Sequence, residues 1–396
     1  MRAWPIRDGV YWVGTMDWDR RLFDALIPLP DGTSYNAYLI RGSEKTALID
    51  AVDPPLADVL FSRLDDLKLS RLDYLIANHA EQDHSGAIPR VLERFPEARV
   101  VTTPKGKGML VDHLRLREDQ IQTVADGETI ALGNRTLEFI HAPWVHWPET
   151  MLTYLREERI LFPCDLFGSH LAVNDLLGTA EARVAAAAKR YYAEIMMPFR
   201  SHIQRHLEKL KGYEISLIAP SHGPLYPRPA LILDLYRDWV ADQPLNVVVL
   251  PYVSMHGSTL RMVDHLVECL QARRVPVIQF NLAEGDLGNL AMALVDAATI
   301  VLAAPQVLSG AHPKAIYAAA LANVLRPKAK YAAIIGSYGW GGKMVEQLTG
   351  LLSNLKVELL PPVLAKGLPT VETERALDRL AEAIGERHAA LGLPRT

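Results

Sequence analysis

A six-residue segment, His79-Ala80-Glu81-Gln82-Asp83-His84, limits what this chain can fold into more than any other feature of its sequence. It holds two imidazoles and two carboxylates, and it directly follows an apolar run, Leu72–Asn78, that predicts a buried strand ending in a loop. Imidazole and carboxylate ligands together suit iron, manganese or zinc, and so dense a cluster indicates two metals. The segment therefore predicts a two-metal site at the end of a strand.

The third position of this segment separates two kinds of metal site. A zinc hydrolase built on a His-x-His-x-Asp-His loop would have histidine at position 81, whereas this chain has Glu81. Glutamate is an anionic oxygen ligand, which stabilises higher oxidation states of iron. Glu81 therefore favours a pair of iron ions, and a two-zinc site is the alternative.

Three later segments each follow an apolar run, so each can deliver a ligand from a loop at a strand end. They are Trp144–Met151 with His146, Leu161–Gly168 with Asp165, and Pro220–Gly223 with His222. In order and spacing, the four segments resemble the metal-binding loops of the flavodiiron proteins, a branch of the metallo-β-lactamase fold. The resemblance covers residues 1–245 and implies an αββα sandwich.

The same resemblance implies a ligand set for a non-haem diiron centre. In the family, one iron is bound by the residues that match His79, Glu81 and His146. The other iron is bound by the residues that match Asp83, His84 and His222, and both are bridged by the residue that matches Asp165. Three carboxylates would partly neutralise two ferrous ions and leave positions open for a small ligand.

The second half of the chain begins with a strand, a hydroxyl-rich turn and a helix. The predicted strand Val247–Tyr252 is followed by Ser254, Met255, His256, Gly257, Ser258 and Thr259. Such a turn surrounds a phosphate with backbone N–H groups and hydroxyls at a helix N-terminus. It resembles the phosphate loop of flavodoxins, which hold FMN; a plain turn is the alternative.

Strands continue to alternate with helices, which predicts a doubly wound parallel sheet of flavodoxin type over residues 246–396. The later predicted strands are Val275–Phe280, Thr299–Ala304, Tyr331–Gly336 and Val357–Leu360. Cofactors bind beyond the carboxyl ends of such strands, where two loops stand as candidates. They contribute Pro305, Gln306, Val307 and Leu308, then Ser337, Tyr338, Gly339, Trp340 and Gly341. The second loop resembles the flavin-contacting loop of the flavodiiron family; a glycine-rich turn with buried aromatics is the alternative.

One helix and one histidine complete the candidate site. The segment Glu181–Met197 predicts a single helix that carries Tyr191 and Tyr192. In the family, a tyrosine here can face the diiron pocket as a proton donor; we assign this role to Tyr192, with helix packing as the alternative. His170 lies either beside the metal ligands or on the surface.

Composition narrows the class of protein. Net charge is −4, from 42 basic and 46 acidic residues, so no surface for nucleic acid or anionic membrane is implied. Met1–Asp8 lacks the apolar core of a signal peptide, and no apolar run reaches membrane-spanning length.

Cys164 and Cys269 fall in different predicted domains, which favours a reducing, cytoplasmic location. No rubredoxin-like cysteine pairs follow the flavin domain, so an external donor, such as a rubredoxin or a reduced cofactor, is required.

The family resemblance implies reduction of dioxygen to water, reduction of nitric oxide to nitrous oxide, or both. A diferrous centre supplies two electrons and a reduced flavin two more, and four electrons convert dioxygen to water. The resemblance also implies a head-to-tail homodimer, or a dimer of such dimers. Two other classes remain as alternatives: a zinc-dependent hydrolase of the metallo-β-lactamase type, and a flavin electron carrier with a vestigial metal site.

Overall fold

The computed structural model describes residues 1–394, and the chain divides into two compact units. The first unit comprises residues 1–192 and 199–240. The second comprises residues 193–198 and the chain from Ala241 onward. The domain boundary after residue 245 stays a prediction. Among the described residues, no helix is both long and apolar enough to cross a membrane.

The first unit is built mainly from short strands. In chain order they are β1 (Trp4–Arg7), β2 (Val10–Trp12), β3 (Thr15–Asp17), β4 (Leu22–Phe23), β5 (Ile27–Pro28), β6 (Thr33–Tyr35), β7 (Tyr38–Arg41), β8 (Thr46–Ile49), β9 (Tyr74–Ile76), β10 (Arg99–Thr102), β11 (Ile121–Thr123), β12 (Thr129–Ala131), β13 (Thr136–His141), β14 (Met151–Leu155), β15 (Ile160–Phe162) and β16 (Leu217–Ile218). The helices are α1 (Ala57–Asp66), α2 (Gln82–Ser85), α3 (Ile88–Arg94), α4 (Pro104–Leu114), α5 (Glu181–Tyr191), α6 (Arg200–Leu210) and α7 (Pro229–Val240).

Two sheets form the centre of this unit. One runs β1-β2-β7-β8-β9-β10-β11 and the other β12-β13-β14-β15-β16. Trp12 and Ile40 of the first sheet pack with Phe139 and Phe162 of the second in one buried core. The other face of the first sheet packs against apolar residues of α1, α3 and α4. Because β8, β9 and β10 are parallel and buried on both faces, their sequences are nearly continuous apolar runs.

The predicted single helix over Glu181–Met197 is wrong beyond Tyr191. The α-helix ends there, a π-helical turn covers Tyr192–Met196, and a 3₁₀ turn covers Met197–Phe199. Pro198 lacks a backbone N–H and so favours a break from regular α-helical hydrogen bonding.

Strands and helices alternate along most of the second unit. Its elements are β17 (Leu245–Tyr252), α8 (Ser258–Ala272), β18 (Val277–Asn281), α9 (Leu287–Leu294), β19 (Ala297–Val307), β20 (Gly310–Ala311), α10 (Pro313–Leu325), β21 (Tyr331–Tyr338), α11 (Met344–Leu351), β22 (Glu358–Leu359), β23 (Val363–Lys366) and α12 (Val371–Ala390). The sheet order is β18-β17-β19-β21-β22, with β23 also paired to β21. These pairings are parallel, and only the short β20 pairs antiparallel among the described strands of this unit.

This order confirms the predicted doubly wound sheet and places its switch point beside β17. The chain passes from β17 to β18 on one side and then to β19 on the other, which opens a crevice at the carboxyl ends. The predicted last strand, Val357–Leu360, is corrected to the shorter β22. Pro361 and Pro362 interrupt the pairing before β23, because proline cannot donate a ladder hydrogen bond.

Candidate metal centre and flavin pocket

The loops that follow β9, β13, β15 and β16 bring the seven predicted metal ligands into one cluster. The loop after β9 and the short α2 supply four of them, and the other three loops supply one each: His79, Glu81, Asp83, His84, His146, Asp165 and His222. Glu81 and His146 are partly buried and the other five are buried. Seven ionisable side chains in so little water are costly unless they bind cations.

Six of these residues separate into two groups, and the side-chain atoms of each group converge. In the first group, Glu81 Oε2 lies 3.0 Å from His79 Nε2 and 3.2 Å from His146 Nε2. In the second, Asp83 places Oδ1 3.3 Å from His84 Nε2 and Oδ2 3.2 Å from His222 Nε2. The groups match the two ligand sets that the family resemblance implies.

Asp165 lies between the two groups, with one carboxylate oxygen toward each. Its Oδ2 lies 3.6 Å from His79 Nε2 and 3.5 Å from His146 Nε2. Its Oδ1 lies 3.2 Å from His84 Nε2 and 3.4 Å from His222 Nε2. This is the arrangement that a carboxylate bridging two metals requires.

Further hydrogen bonds fix the orientation of two imidazoles and of Asp165. His79 donates from Nδ1 to Glu149 Oε1 at 2.6 Å, and the same oxygen accepts from Ala80 N at 3.0 Å. His222 donates from Nδ1 to the Ser34 carbonyl at 2.6 Å. Ser221 Oγ donates to Asp165 Oδ1 at 2.8 Å. Because each Nδ1 is used in this way, each Nε2 is left to face the cluster.

Glu149 belongs to the candidate site, although the sequence analysis does not identify it. It lies three positions after His146 in the same motif and is buried, which is unusual for a glutamate without a partner. In the sequence, Glu149 is a single acidic residue after Pro148, as is common in loops. Only its position relative to a predicted ligand could have identified it.

The imidazoles and carboxylates of the cluster strongly shift one another's pKa. Burial lowers the pKa of His84, but the Asp165 and Asp83 carboxylates outweigh burial and raise it to about 10. Burial raises the pKa of Asp165, but His84 and the other imidazoles hold it well below its usual range. A metal bound here would therefore displace imidazole protons.

Unpartnered atoms provide a direct test of whether metals fit. Both carboxylate oxygens of Asp83, and Oδ2 of Asp165, are buried and have no hydrogen-bond partner among the described residues. Buried polar atoms of this kind are rare in native structures without a ligand. These oxygens face the imidazoles of the cluster, so the donor set fits two metal ions.

Tyr191, and not Tyr192, faces the cluster. The Tyr191 ring lies 5.9 Å from the His222 ring, and burial together with Asp165 raises its pKa well above the usual value. Tyr192 instead donates to the Trp239 carbonyl at 3.3 Å and packs on the Tyr236 ring at 5.4 Å. Consecutive helical residues point about 100° apart, so only one of the pair can face the site. The predicted role of Tyr192 does not fit this geometry, and Tyr191 is the candidate proton donor.

His170 lies beside the predicted metal ligands, which excludes the surface alternative. It is buried, its ring lies 5.0 Å from the His222 ring, and its Nδ1 lies 2.9 Å from Thr33 Oγ1. Its Nε2 is buried without a hydrogen-bond partner among the described residues.

In the second unit, a cavity of about 280 Å³ opens at the carboxyl ends of β17, β19 and β21. Eleven of the predicted cofactor residues line it: Ser254, Met255, His256, Ser258, Thr259, Pro305, Gln306, Ser337, Tyr338, Gly339 and Trp340. Gly367, which the sequence reasoning missed, also lines it. The predicted Gly257, Val307, Leu308 and Gly341 are not among its lining residues. The Leu308 side chain is 80% exposed.

The wall of this cavity suits a phosphate and a flat ring. Gly257 has a φ of +85° at the start of α8, a conformation that other residues adopt with strain. The first turn of α8 leaves backbone N–H groups without intrahelical partners next to the hydroxyl of Ser258. Thr259 Oγ1 lies 3.0 Å from Ser337 Oγ, and Gln306 Nε2 donates to the Trp340 carbonyl at 2.7 Å. These contacts join the three loops around the pocket, whose helix N-terminus, hydroxyls and aromatic rings are the groups that FMN binding requires.

Known proteins resemble this chain over nearly its whole length. A family model described as ODP family beta lactamase matches residues 33–223. A nitric oxide reductase of Moorella thermoacetica is 35% identical over 376 residues, which are 93% of this chain and 92% of the relative. A type A flavoprotein fprA of Rhodobacter capsulatus is 34% identical over 371 residues, which are 90% of this chain and 85% of the relative.

Solved structures agree in fold. The rubredoxin oxygen:oxidoreductase of Desulfovibrio gigas superposes with a TM-score of 0.92 at 28% identity, covering 98% of this chain and 99% of the other. The flavodiiron protein of Giardia intestinalis gives 0.90 at 26% identity, covering 100% and 99%. The chain belongs to the flavodiiron protein family. This confirms the lactamase-like sandwich and the flavodoxin-like sheet. A flavodiiron protein is an oxidoreductase with a non-haem diiron site and FMN, so the hydrolase alternative is not favoured.

Proposed function

We propose that this flavodiiron protein reduces dioxygen to water and nitric oxide to nitrous oxide. The observation that carries the proposal is Asp165, which directs one oxygen to each of two imidazole–carboxylate groups. The names of the relatives support both gases, since one is a nitric oxide reductase and another a rubredoxin oxygen:oxidoreductase. Both substrates are small enough for open positions on a metal pair.

The proposed ligands follow the two groups of the cluster. His79, Glu81 and His146 would hold one iron, Asp83, His84 and His222 the other, and Asp165 both. With two ferrous ions bound, the three carboxylates would leave a net charge of +1 on the centre, so a neutral gas and electrons could be added without a large build-up of charge. When bound, iron acts as a Lewis acid and FMN relays electrons.

The remaining residues position ligands and protons. Glu149 and the Ser34 carbonyl hold His79 and His222 with Nε2 toward the cluster. The Tyr191 hydroxyl stays protonated beside Asp165, where it can donate a hydrogen bond to a substrate oxygen and pass on a proton. Protons are required in both reactions: four with four electrons for each dioxygen, and two with two electrons for each pair of nitric oxide molecules.

The flavin assignments belong to the same proposal. Ser254, Ser258 and Thr259 would hold the terminal phosphate of FMN at the start of α8. Tyr338 and Trp340 offer flat apolar surface to the ring, and Trp340 is 69% exposed. We assign the electron supply to an external donor such as a rubredoxin or a reduced cofactor, in a reducing, cytoplasmic compartment.

Metal analysis and gas consumption together test the proposed function. The purified protein should hold about two iron atoms per chain, and reduced protein should consume both gases. Asp165→Ala should lose the iron and the gas consumption but keep FMN. Asp58→Ala, at an exposed position on α1, is the matched control and should keep all three. Two tightly bound zinc ions, with no gas consumption after iron loading, would contradict the proposal.

A further inference from the structure

A second cluster of metal-binding side chains lies in the second unit, between α8 and α12. His265 Nε2 lies 2.9 Å from Asp378 Oδ1, and Cys269 Sγ lies 3.1 Å from the same oxygen. None of the three residues lines the flavin cavity. We propose that His265, Cys269 and Asp378 bind one zinc ion, as a site separate from the diiron centre and the flavin.

The backbone places these donors before any metal arrives. His265 and Cys269 are four residues apart on α8, so their side chains lie on the same face of the helix. Asp378 comes from α12, whose Leu377 and Ala381 share a buried core with Leu266 and Leu270 of α8. All three donor atoms lie within 4.8 Å of one another. Small side-chain rotations, without backbone movement, would bring them to metal-ligand distances.

The chemistry of the donor set selects the metal. Imidazole nitrogen, thiolate sulfur and carboxylate oxygen are the three ligand types of zinc, which accepts three protein ligands with water as the fourth. Magnesium and calcium prefer oxygen ligands alone. The three side chains are partly exposed, so the fourth position is open to water.

Binding has a definite proton balance. Burial and Asp378 raise the pKa of Cys269 to about 11, so the thiol is protonated at neutral pH and donates to Asp378. Zinc would form a bond to sulfur as the S–H bond breaks, which releases one proton to water. Two further charged groups act on the thiol: Arg273, which lowers its pKa and donates to the Cys269 carbonyl, and Glu268, which raises it.

Cobalt(II) is a suitable probe because it replaces zinc and gives a thiolate charge-transfer band. It would be added anaerobically to the iron- and FMN-loaded protein, and spectra would be taken as differences. We expect a band with one cobalt per chain, lost on adding zinc and absent in Cys269→Ser. Asp378→Asn should weaken cobalt binding at least 10-fold, because mutating even a hydrogen-bond partner of a metal ligand typically costs about 10- to 100-fold in affinity. Asp264→Asn, an exposed carboxylate on the same helix, is the matched control and should bind normally.

Two outcomes would overturn the proposal. One is the absence of a thiolate band in the parent protein. The other is a band that survives Cys269→Ser and disappears in Cys164→Ser, because Cys164 lies beside Asp165 and would report cobalt in the diiron centre.

Thiol labelling gives an independent readout. Cys164 is buried and Cys269 partly exposed, so a thiol reagent should label Cys269 first. Zinc at one equivalent should slow that labelling by about 10-fold or more in the parent and in Asp264→Asn, but not in His265→Ala. An unchanged labelling rate with zinc would mean that the three residues form only a hydrogen-bonded contact between helices.

Discussion

Each candidate metal ligand of this protein lies in a loop or short helix that follows a strand, and the hydrogen-bond partners of His79 and His222 decide which ring nitrogen faces the cluster. The position after a strand is a local pattern that the sequence shows. His79 to His84 follow a strand directly, and His146, Asp165 and His222 each follow another apolar run. The direction in which a helix side chain points is harder to predict from the sequence. The choice between Tyr191 and Tyr192 depends on the rotation of α5 against the cluster, which the apolar pattern of the helix does not fix to within one residue. Glu149 was missed for a related reason, since only the fold brings it to His79.

The position of Tyr191 gives the first prediction. Tyr191→Phe should lower the rate of gas reduction by roughly 10²-fold, the lower end of what a positioned proton donor contributes. Iron and FMN contents should not change, because Phe preserves the ring packing against His170. Tyr192→Phe, the matched control, should stay within a few-fold of the parent. Equal losses in the two variants, measured by gas uptake, would show that the hydroxyl of Tyr191 has no special role.

At the scale of elements, the parallel sheet of the second unit was predictable because its strands are apolar runs separated by helical segments. The residues at which strands end were harder to predict. β19 extends to Val307, beyond the predicted Ala304, because Pro305 pairs with Ser337 at the edge of the flavin pocket. The loops after β17 and β21 were identified from their glycine and hydroxyl content, and the cavity wall was completed by Gly367, which no local pattern indicates.

The first turn of α8 gives the second prediction. Ser258→Ala combined with Thr259→Ala should weaken FMN binding roughly 10²- to 10⁴-fold, since each lost hydrogen bond to a charged group costs roughly 1.5–3 kcal/mol. FAD should not bind in either protein, because the loop accommodates one terminal phosphate. Ser353→Ala, at an exposed position, is the control. An FMN affinity that is unchanged in a fluorescence titration would mean that the phosphate does not bind at the start of α8.

α12 gives a prediction about pH. His388 is buried, with Nδ1 2.8 Å from Asn246 Oδ1 and Nε2 2.7 Å from Thr299 Oγ1, and burial lowers its pKa to about 4. The unfolded chain titrates near 6.5, so it binds a proton that the folded state excludes. The free energy of unfolding of this unit should therefore fall as pH drops from about 6.5 to about 4. Above pH 6.5, His388 should not make the free energy of unfolding depend on pH.

His388→Gln should flatten this part of the pH profile, because glutamine does not titrate. Unfolding would be monitored by the rise in FMN fluorescence as the flavin is released. The slope of the free energy of unfolding against pH would then be compared between the variant and the parent. An identical slope in the two proteins would mean that His388 is not the titrating group.

Gas reduction by the whole molecule requires electrons to pass from FMN to the diiron centre. The rate of electron transfer falls steeply with distance. We propose that two chains associate head to tail through an isologous interface, so that the FMN of one protomer serves the diiron centre of its partner. A dimer of such dimers would preserve the same junctions.

Complementation tests that assembly. Asp165→Ala should lack a working diiron centre, and the Ser258→Ala, Thr259→Ala protein should lack FMN at moderate FMN concentrations. A mixed dimer would hold one junction with both centres intact, so activity should reappear when the two proteins are dissociated and reassembled together. Each variant reassembled alone is the control and should stay inactive. Proven heterodimers without activity would refute the head-to-tail arrangement.

If this chain combines a diiron site with FMN to reduce a gas, anaerobic stopped-flow measurement should show both centres taking part. Fully reduced protein would be mixed with dioxygen or with nitric oxide, while flavin oxidation and the products are followed. We expect rapid flavin oxidation with either gas, water without released peroxide from dioxygen, and nitrous oxide from nitric oxide. Flavin oxidation that is equally fast in Asp165→Ala, with peroxide as the product, would show that the diiron site takes no part in gas reduction.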